Sequence, residues 1–316
     1  MDSQAIADRR QLRRKLTFWR VAAVLLIVAI GFSLYRYVAP ADSAGVPHVA
    51  RIEISGMITD DDELIARLDK IAKSRQAKAL IVSISSPGGT TYGGERIFKA
   101  LRAVAEKKPV VSDIRTLAAS AGYMIASAGD TIVAGESSIT GSIGVIFQYP
   151  QIQPLLEKLG VSLEEIKSAP LKAEPSPFHP ASEEAKAVIR AMVMDSYDWF
   201  VDLVADRRKL SREEVLKLAD GRIYTGRQAL KLKLVDELGG LPQIRNYLAG
   251  RGVPETLPVV EWKRKDDSGF FALPAAMHLV RLMGFNPGAA QETLDAFGAS
   301  KLFLDGLVSV WQVGGE

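Results

Sequence analysis

Two short segments carry residue types at a spacing suited to hydrolytic chemistry. Ser86-Pro87-Gly88-Gly89 follows an apolar, β-branched run, so backbone N–H groups without Cβ crowding stand at the C-terminal edge of a buried strand. A turn needs no second glycine, which leaves room for close backbone approach to a ligand. The segment is not a Walker loop, because no Gly-Lys-Ser/Thr follows, and it lacks G-x-G-x-x-G. In Ala118-Ala119-Ser120-Ala121-Gly122-Tyr123 the serine falls at the start of a small-residue helix. Free N–H groups and the helix dipole stabilise an oxyanion there, although the position equally suits an ordinary N-cap serine. Cys 0 excludes a thiol nucleophile, disulfides, zinc-thiolate sites and iron-sulfur clusters. His48, His179 and His278 have no paired spacing, so a two-His metal motif is excluded as well; no metal or cofactor is expected.

The elements that must position these residues alternate between strand and helix. Val49 to Ser55 alternates as a strand, Asp62 to Ser74 has helical periodicity, and Ala79 to Ser85 is the nearly continuous apolar run of a buried parallel strand. A Gly-rich loop, a helix through Glu106, strand Val110 to Ile114, a helix from Ser120 to Ala128 and strand Thr131 to Ala134 follow. Ser142 to Phe147 and Ser162 to Lys167 read as strands on either side of a helix from Pro154 to Leu159. A long helix spans Ser182 to Leu210, capped by Ser182, and Arg212 to Ala219 precedes a last strand-and-helix element through Ala249. Repeated β-α-β units predict an α/β fold with a parallel sheet.

The ordered motifs S-S-P-G-G, A-S-A-G-Y-M-I-A-S-A-G-D-T-I-V-A, T-G-S-I-G-V-I, L-K-A-E-P-S-P, D-G-R-I-Y-T-G-R-Q-A and L-V-D-E-L-G-G together resemble the signal peptide peptidase A family in its short, membrane-anchored bacterial form. The similarity covers Val49 to Ala249. It implies a Clp-protease/crotonase-like parallel β-α superhelix, a Ser-Lys dyad and a homo-oligomer at the membrane. Carried over by motif, the nucleophile is Ser120 and the general base Lys172, with Lys167 as its rival. Ser142 orients the lysine, Thr140 being the alternative, and the oxyanion donors are the N–H groups of Gly89 and Ala121. Chemistry agrees: a serine needs a base, no histidine or cysteine is suitably placed, and a lysine serves when burial draws its pKa down from about 10.4. Ala169, Pro170, Leu171 and Ala173 predict such an apolar setting. The sequence departs from the family with Ser86 for Asn, Ala121 for Gly, Met124 for an aromatic and L-K-A-E for Y-K-D. The implied activity is a serine endopeptidase acting on hydrophobic peptides such as released signal peptides. An inactive oligomeric scaffold is the alternative, and an exported location argues against an acyl-CoA enzyme.

Charge patterning places this domain. Val21 to Tyr35 is free of charge, and with Phe18, Trp19, Tyr37 and Val38 it reaches the ~30 Å of a bilayer core. Arg9, Arg10, Arg13, Arg14, Lys15 and Arg20 precede the run, which puts the N-terminus in the cytoplasm. Ala39, Ala41 and Ala44 would also suit a signal-peptide cleavage site. The expected order is a basic cytoplasmic segment (1–17), a single-pass anchor in the cytoplasmic membrane (18–38), a linker (39–48), a protease domain on the outer side (49–250) and an apolar, Gly-rich extension (251–316). A net charge of +3, with six basic residues before residue 21, lacks the basic stripe of a nucleic-acid binder.

Overall fold

The computed structural model describes residue 15 and residues 18–31, 46–264 and 308–310. The chain divides into a unit ending at Val46 and a unit beginning at Pro47. The basic segment before residue 15, most of the linker, and residues 265–307 and 311–316, with His278, lie outside the described residues. In the first unit residues 18–31 are helical (α1), and Phe18, Trp19, Leu25, Leu26 and Ile27 are all exposed. No described helix is long and apolar enough to cross a membrane.

The second unit is built on one mainly parallel sheet of nine described strands. Its path runs β6 (Ile223–Thr225), β5 (Ile139–Gly141), β3 (Val110–Ala119), β2 (Ala77–Thr90), β1 (His48–Ile58) and β8 (Val259–Glu261). β4 (Thr131–Ala134) pairs with β3 and with β7 (Glu237–Leu238), and β9 (Val308–Val310) pairs with β2. The period of two sends alternate residues to opposite faces. Ala50, Ile52, Leu80, Val82 and Ile84 meet α2 (Asp62–Lys73), α3 (Thr91–Ala105), α4 (Ala121–Ala126) and the second half of α6 (Glu183–Arg208). Val49, Ile81, Val111 and Val133 pack on Ile244 and Leu248 of α9 (Leu241–Gly250). The remaining helices are α5 (Gln153–Lys158), α7 (Arg212–Leu218) and α8 (Gly226–Lys231).

Helix starts follow the sequence signals. Asp61 accepts from Leu64 N (2.9 Å) at α2, and Ser182 accepts from Ala185 N (3.1 Å) at α6. Several elements differ from expectation. β2 continues through the Gly-rich segment to Thr90, because Gly88 and Gly89 keep pairing with Met57 and Ile58 of β1. β3 likewise runs on to Ala119, whereas α4 is only Ala121–Ala126. Ser142 to Phe147 is not a strand: Gly141 (φ 91°) and Ser142 (φ 50°) turn the chain out of the β region as β5 ends. Ser162 to Lys167 is irregular and pairs with no described strand. Beyond residue 250 the sheet gains β8, and Trp262 is buried with its Nε1 donating to His48 (3.1 Å).

Lys108 closes the end of α2 onto β2. Its ammonium donates to the carbonyls of Ile71 (2.6 Å), Ser74 (2.9 Å) and Ala77 (2.9 Å), and burial pushes its pKa down. Lys108→Met strands those acceptors, so we expect a loss of about 2 kcal/mol. Urea unfolding reads it as a lower midpoint at unchanged m.

Candidate active site

The peptide chain reverses sharply at Ser120, between the last residue of β3 and the first of α4. Ser120 has φ 57° and ψ −120°, a conformation costly for any residue with a Cβ. Its N–H donates to Gly141 O (2.8 Å) and its carbonyl accepts from Met124 N (2.9 Å), so the strained turn is held from both sides. Ser120 occupies the N-cap position, yet its hydroxyl makes no capping bond. The result is a sharp, strained strand-to-helix turn with a buried serine at its apex. Small neighbours permit it: Ala118, Ala119 and Ala121 are fully buried, and a Cβ on Gly122 would lie 2.9 Å from Ser86 O.

Beside this turn the edge of β2 is free to take another strand. β3 pairs with β2 as far as Ser86↔Ala118 and then diverges to pair with β5 at Leu117–Ala119. Residues 88–90 are thereby left to a further strand, and β9 lies there antiparallel, with Gly88↔Val310, Gly89↔Ser309 and Thr90↔Val308. Gly89 is the only residue type that fits its position, since a Cβ would stand 1.8 Å from Ile58 O. Ser86 shapes the same stretch: its hydroxyl donates to Gly56 O (2.7 Å) and accepts from Gly88 N (3.1 Å).

The other side of Ser120 is set by β5 and β6. Gly141↔Ile223 pairing and the bond from Ser142 N to Arg222 O (2.7 Å) pin Ser142, buried and at positive φ, directly after the residue that binds Ser120 N. This is what D-G-R-I-Y-T does in the fold. The Thr140 hydroxyl is committed to Ala118 O (2.8 Å), which makes it a brace between β5 and β3.

Ala121 and Ser142 thus flank the Ser120 turn, and Gly89 lies three residues beyond the Ser86↔Ala118 pair on the neighbouring strand. Lys172 is different. It lies on an irregular segment after α5, and it is exposed, as are Ala169, Pro170, Leu171 and Ala173. The expected burial is absent among the described residues, no described helix or strand covering these turns. Among the described residues no hydrogen bond joins Lys172 to Ser120 or Ser142. The rival Lys167 is paired with Glu165 (2.5 Å) and Glu174 (2.7 Å), whose carboxylates hold its pKa above the usual lysine value. Neither described histidine is bonded to Ser120: His48 accepts from Trp262, and His179 meets Glu165 and Glu174.

Comparison with known proteins settles the family. Two family profiles match, Peptidase family S49 over residues 102–251 and Clp protease over residues 48–137. "Putative signal peptide peptidase SppA" of Enterococcus faecium is 32% identical over 270 residues, covering 81% of this chain and 78% of that one. The chain belongs to peptidase family S49. Within the family, "Putative protease slr0021" of Synechocystis is 40% identical over 202 residues, covering 64% of this chain and 73% of the relative. "Protease 4" of Salmonella typhi is 34% identical over 67% of this chain but only 35% of its own length. The Clp match runs from β1 to just past β4, the strands and helices that build the Ser120 turn, so the domain is an α/β fold of Clp-protease type.

Three site features escape sequence reasoning. The A-x-S-x-G pattern around Ser120 could have signalled the strained turn, since only small residues fit on both sides of it. The bond from the Ser86 hydroxyl to Gly56 O and the strand at 308–310 had no local signal, because both depend on residues far apart in the chain.

Proposed function

We propose that this protein is a membrane-anchored serine endopeptidase with a Ser-Lys dyad that hydrolyses hydrophobic peptides, released signal peptides among them. The observation that carries the reading is the strained Ser120 turn, whose hydroxyl makes no capping bond, beside a β2 edge that already takes an extended strand at residues 88–90. A substrate peptide adds to residues 88–90 as a strand in place of β9, so main-chain hydrogen bonds select extended rather than folded substrates. The Lys172 amine takes the Ser120 Oγ proton as Oγ attacks the scissile carbonyl carbon. The N–H groups of Gly89 and Ala121 hold the resulting oxyanion. Collapse breaks the C–N bond, the Lys172 ammonium returns the proton to the leaving amine, and water deacylates Ser120 by the same route. Ser142 orients the amine.

A general-base lysine has to be neutral, and in the single chain Lys172 stands in water. Its own segment exposes two large apolar side chains, Leu171 and Ile166, the latter fully. Packing of identical subunits over this surface would supply the desolvation and enclose the site within the Clp-protease/crotonase-like superhelix. The segment 18–38, which includes α1, is the anchor to the cytoplasmic membrane, with the protease domain on its outer side, where released signal peptides remain.

A fluorophosphonate probe should label Ser120 in the wild type and not in Ser120→Ala; a folded wild type that stays unlabelled sinks the reading. In sedimentation the protein should run as a defined oligomer. Ile166→Glu should lower the oligomer fraction and peptide hydrolysis together by about tenfold or more, since a buried unpaired carboxylate costs several kcal/mol. An active monomer would refute the assembly.

A further inference from the structure

The segment that carries Lys172 has little of its own to hold it. Residues 168–173 are exposed, lie in no helix or strand, and form only local turns, with Lys172 N donating to Ala169 O (3.1 Å) and Glu174 N to Leu171 O (3.3 Å). Charged side chains join the two ends of this excursion. On the entry side stand Glu165 and Lys167, on the exit side Glu174, Ser176 and His179. The Lys167 ammonium bridges Glu165 (2.5 Å) and Glu174 (2.7 Å), and His179 Nε2 lies 3.3 Å and 3.2 Å from the same two carboxylates. Glu174 Oε2 also accepts from Ser176 N (3.3 Å), and the Glu174 side chain is only 8% exposed. The exit side is fixed in turn to the start of α5, through Ile152 N to Pro177 O (2.8 Å) and Gln151 Nε2 to Ser176 O (3.0 Å).

We propose that Lys167 and Glu174 are positioning residues: their ion pair clasps the neck of the 168–173 loop and thereby fixes where the Lys172 amine stands. The inference rests on Lys172 being the base. A carboxylate as enclosed as Glu174 is stable only when paired, so the clasp holds one geometry. Geometry matters at this point because misplacing a reacting group by about 1 Å costs on the order of 10²-fold in rate. The clasp also gives Lys167 a role other than base.

The clasp stays charged across the working pH range. Hydrogen bonding to Lys167 lowers both carboxylate pKa values, so their pairing is lost only as pH falls through those lowered values. The raised Lys167 pKa means its pairing is lost only as pH rises through that higher value. Between about 4.3 and about 10.4 the Lys167 bridges therefore persist. His179 faces the same two carboxylates, with its Nε2 3.4 Å from the Lys167 ammonium. A pH limb of activity within this window thus reports another group.

The test uses the full chain and a quenched fluorescent peptide. Glu174→Gln and Lys167→Met should lower kcat by about 10- to 100-fold with KM little changed, because the β2 edge is untouched. The rising pH limb of kcat/KM should move to higher pH, since an amine no longer held in place is better solvated. Lys167→Arg keeps the pair and should recover most of the activity. Glu165→Gln, on the more open side of the cluster, should act in the same direction more weakly, and it serves as the probe if Glu174→Gln does not fold. A merely structural pair would change the unfolding midpoint and leave kcat and the pH limb of the folded enzyme alone. Wild-type kcat and pH limb in Glu174→Gln and Lys167→Met, alongside an inactive Lys172→Ala, would overturn the clasp alone. An active Lys172→Ala would overturn the base assignment and the clasp with it.

Discussion

Ser120→Ala should lose peptide hydrolysis by about 10⁴-fold or more while retaining fold and assembly, because the members of a nucleophile-base unit act together. Alanine meets the same positive φ as serine, so the turn between β3 and α4 carries no new strain. Lys172→Ala should be equally inactive. Lys172→Arg separates charge from chemistry: the guanidinium keeps the positive charge but stays protonated and accepts nothing from Ser120. Steady-state hydrolysis and fluorophosphonate labelling, measured on protein with unchanged circular dichroism, decide the matter. Near-normal turnover in either alanine variant removes that residue from the dyad. In the wild type kcat/KM should rise with pH, since the base works only as the free amine.

A second large loss is expected from Gly89→Ala. The new methyl group would stand 1.8 Å from Ile58 O and 2.5 Å from the carbonyl carbon, both backbone atoms of the paired strand, so β1 and β2 must part at this point. The Gly89 N–H then leaves the position from which it would meet an oxyanion. Removal of one such donor costs about 10²- to 10³-fold in kcat. Labelling of Ser120 should slow in parallel, because the probe's phosphoryl oxygen uses the same donors. Wild-type kcat in a folded Gly89→Ala protein would take this N–H out of the mechanism.

Much of the scaffold is legible in the chain itself. The β-branched runs of β1, β2, β3 and β4 and the caps at Asp61 and Ser182 are local signals, because burial on both sheet faces demands continuous apolar residues and helix ends demand side-chain acceptors. The family is legible for a related reason: a strained serine turn, a glycine under a neighbouring strand and a motif bracing β5 each restrict residue type at fixed spacing. Lys172 shows where such reading stops. Its apolar neighbours predict burial, but burial is set by what packs across a segment, and here nothing in the described chain does.

The sequence by itself determined the α/β alternation, the absence of thiol chemistry and the set of candidate residues, since these follow from composition and short-range pattern. Only the tertiary structure decided that Ser120 turns at positive φ without a capping bond from its hydroxyl, that β2 runs through Gly88 and Gly89, that Ser142 follows a strand instead of starting one, and that Lys167 is paired with both Glu165 and Glu174. The strand outcomes depend on partners brought together from distant parts of the chain by sheet register, and the Lys167 pairing depends on how the 168–173 turns fold back on themselves, which no residue pattern encodes.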